Sequence, residues 1–170
     1  MFEWVAKNVS VIVAVCAAII SLASLVVAVC ALRAQRAHNY LSVRPIAHFS
    51  RGDYEDSIFI KLKNYGAGPL LIDSFIVQFG QGHHKRLIDA LGEIASAITW
   101  DNFTDIIDGR ALAPNKEFVL LKASFGSSQE SAKKKIRSAL SKMTLRLTYK
   151  DIYGRDQPEI EESLSWFSRN

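Results

Sequence analysis

The chain has 170 residues, a formal net charge of +4, two cysteines, 49% hydrophobic residues and 22% charged ones. Those figures exclude a wholly disordered chain, a disulfide-stapled miniprotein and a multi-domain enzyme. The apolar residues are concentrated, and the first of their clusters decides the architecture.

Residues 9–32 form a 24-residue run without a charge, a glycine or a proline. As a helix the run would span about 36 Å, against a hydrocarbon core of roughly 30 Å. It is therefore long enough to cross a bilayer once with some tilt. A cleavable signal sequence has a shorter apolar region, so the length argues for a retained anchor. Trp4 and Tyr40 bracket the run where interfacial aromatics sit. Lys7, offset by Glu3, precedes it, whereas Arg33, Arg36 and Arg44 follow it. The positive-inside rule then puts the N-terminus outside and the bulk of the chain in the cytoplasm, at the inner (cytoplasmic) membrane. Cys16 and Cys30 both lie within the run, which leaves no thiol to oxidise in the remainder.

One stripe of this helix is small or polar. Ala14, Ser21 and Ala28 share one heptad position, and Ala17, Ser24 and Ala31 share another. Such a seam lets helix backbones approach and serines bond across the contact, so self-association is expected.

From Leu41 the pattern shortens. Residues 44–49 read as a first strand, with Pro45 at its edge. Ile58, Ile60 and Leu62 alternate with Phe59, Lys61 and Lys63, the period of a half-buried strand. Asn64-Tyr65-Gly66-Ala67-Gly68-Pro69 then predicts a turn. Further strands are expected over 70–79, 118–125 and 143–150, the last turning through 151–156 into 159–166. Helices are expected over 85–98 and 127–142, the second opening on a Ser127/Glu130 capping box. The fold class is thus one N-terminal transmembrane α-helix plus a mainly antiparallel, β-sandwich-like α+β domain. The anchor with its helical linker occupies 1–40, and a cytoplasmic β-rich ligand-binding or interaction domain occupies 41–170.

No GxxxxGK[ST], HExxH, GxSxG or CxxC occurs, so the chain is read as non-enzymatic, without catalytic residues or a cofactor. His83 and His84 are adjacent, but their side chains diverge and no spaced ligand completes a metal site. The segment Gly80-Gln81-Gly82-His83-His84-Lys85-Arg86 lies between a strand and an expected helix. Gly80 and Gly82 permit a turn with converging amides, and Lys85 and Arg86 add charge beside the helix start. That assembly suits a phosphate; a solvated flexible loop is the plainer reading. Tyr65, Trp100 and Phe103 offer stacking surface for a base, or simply core.

Lys133-Lys134-Lys135 with Arg137 is a second basic cluster, read as a solvated face or as a contact for anionic headgroups. Three of the 21 basic and one of the 17 acidic residues precede Leu41, so the remainder carries only +2. Duplex nucleic acid is not an expected partner.

The layout, with Ser42-Val43-Arg44-Pro45 after the anchor and Asn64-Tyr65-Gly66-Ala67-Gly68-Pro69 after the first long strand, resembles small bacterial single-span proteins. In size and order the chain also resembles a membrane-associated effector of type III CRISPR defence. That resemblance implies a cytoplasmic domain that binds cyclic tetra-adenylate as a tetramer, in antiviral defence, and a bilayer that is permeabilised or disrupted when the bundle shifts. The alternative is a membrane-anchored scaffold that recruits a protein through a sheet edge or an apolar patch.

Overall fold

A computed structural model describes residues 2–96, 98–126 and 129–169. The chain divides into two compact units, residues 1–42 and 43–170.

The first unit is a single helix, α1 (Phe2–Ser42). From Asn8 to Ser42 it is long and apolar enough to cross a membrane, and none of its apolar stretch is buried. Ile20 and Val27 are about two-thirds exposed, at 66% and 67%. Surface of that kind is tolerated in hydrocarbon, where every backbone group of a helix is already satisfied.

The second unit consists of two antiparallel sheets. One has the order β1-β2-β6, from β1 (Ala47–Asp53), β2 (Ser57–Asn64) and β6 (Glu117–Ser124). The other has β4-β3-β7-β8, from β3 (Leu70–Phe79), β4 (Gly82–His84), β7 (Met143–Lys150) and β8 (Ile160–Ser163). The short β5 (Ala111–Leu112) pairs with β3 beside that path. Alternation drives the layering: Ile58, Ile60 and Leu62 of β2 are buried, as are Leu145, Leu147 and Tyr149 of β7. Phe49 of β1 meets Phe75 of β3 at 6.1 Å between ring centroids, so the two buried faces share one core. A bulge between Ile72 and Ser74 in β3 keeps both Ile72 and Phe75 turned inward although three positions separate them.

Helices α2 (Leu87–Leu91) and α4 (Glu130–Leu140) close the core with Leu87, Ala90 and Leu91, and with Ile136, Ala139 and Leu140. Between them lies the single turn α3 (Glu93–Ser96). A 3-10 helix, Leu164–Ser168, adds Leu164 and Phe167.

Several expected boundaries move, each for a local reason. The helix expected over 85–98 is broken at Gly92, whose φ of 53° ends α2 before α3 begins. Lys85 and Arg86 precede the helix rather than belonging to it. Strand β1 starts three residues later than expected, because Pro45 has no amide hydrogen and Ile46 donates to the Asn64 side chain. The last strand stops at Ser163, whose hydroxyl accepts from the Ser165 amide and starts the 3-10 helix. Ser127 of the expected capping box lies outside the described residues. The N-cap of α4 is Gln129, whose side chain accepts from the Gly126 amide instead.

Candidate functional site

The segment that opens on Gly80 is a hairpin rather than an open cradle. Gly80 takes a φ of 59° at the turn, and Gly82, His83 and His84 pair with Phe79, Gln78 and Val77 as strand β4. The cations after it are engaged by carboxylates. Lys85 Nζ donates to Asp108 Oδ2 at 2.6 Å and to Ser74 Oγ at 3.2 Å. Arg86 forms a bidentate pair with Asp89, 2.7 Å at each contact, and reaches Asp105 at 3.2 Å. The hydrogen bonds to Asp89, then its negative charge, raise the Arg86 pKa above its ordinary value.

Asp108 also accepts from the Phe75 amide at 2.7 Å, so the Lys85 contact is tied into the bulged part of β3. Lys85 and Arg86 thus face Asp89, Asp105 and Asp108, and this neighbourhood carries more negative than positive charge. A phosphate entering here would have to displace carboxylates from cations they already satisfy.

Of the three aromatics offered for stacking, the structure brings one to these residues. A shallow groove of about 500 Å³ is lined by Arg86, Ile88, Asp89, Gly92, Ala95, Ser96 and Phe103. Trp100 is half-buried, with its indole N–H donating to the Ala95 carbonyl at 2.9 Å. Tyr65 lies instead beside His48, at 5.8 Å between centroids, and under Lys63, at 4.6 Å.

The basic cluster on α4 splits by helical phase. Lys133 and Arg137 turn inward to Asp53, at 3.3 and 3.0 Å from its two carboxylate oxygens, and the Asp53 side chain is only 12% exposed. Lys133 also donates to the carbonyls of Tyr54 and Glu55, and Arg137 to that of Arg169. Lys134 and Lys135 face solvent, the former near Glu130 at 3.7 Å. Half of the apparent patch is therefore internal cross-linking between β1 and α4.

Two polar residues that the sequence places in turns prove to be buried. Asn64 is fully buried and uses its whole side chain: Oδ1 accepts from the amides of Ile46 and Gly66, and Nδ2 donates to the carbonyls of Gly68 and Leu112. Its loop packs on the backbone of 43–46, and a Cβ on Gly66 or Gly68 would collide with the Arg44 or Val43 carbonyl. The two segments singled out after the anchor and after the first long strand are thus one assembly. Asp151, 3% exposed, organises the turn after β7 by accepting from the amides of Tyr153 and Arg155. The signal for both was present, an Asx side chain just ahead of a glycine-containing turn.

In α1, the residues Ala14, Ala17, Ser21, Ser24, Ala28 and Ala31 are all exposed. Ser24 Oγ donates to the Ile20 carbonyl at 2.8 Å within the same helix. Among the described residues, no group of three or more His, Cys, Asp or Glu is placed to hold a metal ion.

Residues 5–168 match the family described as Domain of unknown function (DUF8453), and the chain belongs to that family. No curated protein matches it.

Proposed function

We propose that this chain is a single-span membrane protein whose two-sheet domain is a non-enzymatic recruiting module, held at the cytoplasmic face of the inner membrane. One observation carries the anchored-domain part of this reading: an apolar helix without a buried residue in its span is joined to a domain that closes its own core. Arg33, Arg36 and Arg44 against Lys7 support the orientation. The stripe from Ala14 to Ala31 supports self-association within the bilayer.

The second reading is the cyclic-oligonucleotide effector, and the groove shared by Arg86 and Phe103 favours it. A purine stacked on Phe103 would bring a phosphate to Arg86, at the cost of its contacts with Asp89 and Asp105. Binding would then shift the domains of a homo-oligomer, a tetramer for cyclic tetra-adenylate, and repack the helices so that the membrane leaks.

The deciding experiment is calorimetric titration of the full chain in nanodiscs with cyclic di-, tri-, tetra- and hexanucleotides, next to affinity purification from membranes. A stoichiometric protein partner with no heat from any nucleotide supports the recruiting module. Saturable heat from one cyclic nucleotide, abolished in Arg86→Ala, transfers the assignment to the effector.

A further inference from the structure

The geometry points to the end of the two-sheet domain at which the chain enters as a surface that binds anionic lipid headgroups; this rests on the reading that α1 spans a membrane. The surface is assembled from three segments. The backbone at Ile46 accepts from the Tyr65 amide at 2.8 Å, which fixes the loop after β2 beside the entry strand. Arg44 Nε donates to Gln157 Oε1 at 3.2 Å, and Gln157 Nε2 reaches Asp151 Oδ2 at 3.4 Å. That chain of contacts brings the turn after β7 to the same end.

What these segments show to solvent is interfacial chemistry. Ile46 is 53% exposed, Tyr65 50% and Ile152 55%. Lys63 lies over the Tyr65 ring, and Arg44 follows Val43 directly. An amphipathic ring with a long-stemmed cation beside it suits the boundary between headgroups and acyl chains. Of the acids nearby, Asp151 is buried in its turn, and Asp156, 86% exposed with Lys150 at 3.9 Å, is offset only in part. The α4 cations that a sequence reading would assign to this task are spent in part on Asp53.

Chain length names the occupant. Ten helical residues, 33–42, separate the apolar run from Val43, so the domain starts no more than about 15 Å beyond it. The headgroup layer fills roughly 5–8 Å of that distance. A lipid surface is therefore held at high effective concentration beside this end, within the range over which basic residues feel anionic lipid.

The test is hydrogen exchange on the full chain in three environments: detergent, phosphatidylcholine nanodiscs, and nanodiscs of phosphatidylcholine with phosphatidylglycerol. Peptides covering 60–69 and 150–158 should exchange several-fold more slowly in the anionic discs than in the other two. The triple variant Lys63→Gln, Tyr65→Ser, Ile152→Ser should lose that protection, whereas Lys134→Gln with Lys135→Gln should keep it. Equal exchange in all three environments overturns the proposal, as does protection that needs no anionic lipid. Protection that arises only when a protein partner is added also overturns it and gives the surface to that partner. A chain that fails to co-elute with any disc removes the membrane reading itself, a result separable from unchanged exchange in a chain that does co-elute.

Discussion

The side-chain amide of Asn64 donates to the Gly68 carbonyl at 2.8 Å in the fully buried interior of its own turn. The same side chain also serves Ile46, Gly66 and Leu112. Asn64→Ala would strand those four backbone groups, at about 1–3 kcal/mol for each that finds no water. We expect a loss on the order of 3 kcal/mol after partial relaxation, read by denaturant unfolding of the full chain in detergent. Asn64→Asp should fall nearly as far, because a carboxylate cannot donate to the two carbonyls. If Asn64→Asp matched the unsubstituted chain, the donor half of this account would be wrong.

The glycines of that turn differ from glycines elsewhere in what a methyl group would meet. At Gly68 a Cβ collides with backbone, whereas at Gly126 it meets nothing and no left-handed φ is required. Gly68→Ala should therefore cost about 2 kcal/mol or more, while Gly126→Ala should be neutral or slightly stabilising through the unfolded chain. Parallel thermal melts would check this. Equal melting temperatures for the two variants would show that the entry backbone yields.

The limits expected for β3 and β7 match the structure, and in β7 period-two alternation carries them, because Leu145, Leu147 and Tyr149 share a dry face. The break at Gly92 is not legible in the sequence, because Leu87, Leu91, Ile94 and Ile98 keep helical spacing across it and apolar periodicity carries no information on a single φ. The partners of the cations are not legible for another reason. Lys85 meets Asp108 and Arg86 meets Asp105, partners 23 and 19 positions away, and no local pattern encodes such a pairing.

Those pairings make a prediction about ligand selectivity. If the groove beside Phe103 takes an anionic ligand, Asp89→Asn and Asp105→Asn should tighten binding by freeing Arg86. If it takes a basic segment of a partner, the same variants should weaken binding. About tenfold in either direction corresponds to 1.4 kcal/mol, within the usual range for a charge-assisted contact. Titration against whichever ligand is first identified reads the sign. Arg86 is charged throughout the working pH range, as any guanidinium is, and the hydrogen bonds to Asp89 raise its pKa further.

Asp53 holds Lys133 and Arg137 together from the end of β1. Asp53→Asn keeps the shape but removes the charge that both cations face, leaving them partly buried with carbonyl partners only. The expected loss is about 1–3 kcal/mol, because these are charge-assisted bonds away from full solvent. Lys134→Ala, on the outward side of the same helix, should change stability by under about 0.5 kcal/mol. A loss from Asp53→Asn as small as that expected for Lys134→Ala would mean that α4 is held by its apolar face alone.

Substitutions in the small-residue stripe of α1 would separate the proposed association in a membrane from stability of the domain. Ser21 and Ser24 lie among Ala14, Ala17, Ala28 and Ala31, and Ser24 already bonds to Ile20, so its hydroxyl is satisfied in a lone helix. Close backbone approach would then matter more than a serine bond across helices, and bulk rather than polarity should control association. Ser21→Leu with Ser24→Leu should abolish chemical crosslinking between copies in vesicles, while Ser21→Ala with Ser24→Ala should preserve it. Neither pair should shift unfolding of the two-sheet domain, whose core, among the described residues, contains none from α1. If the alanine pair lost crosslinking as fully as the leucine pair, serine hydroxyls would be the adhesive. If neither did, the helices would meet on another face.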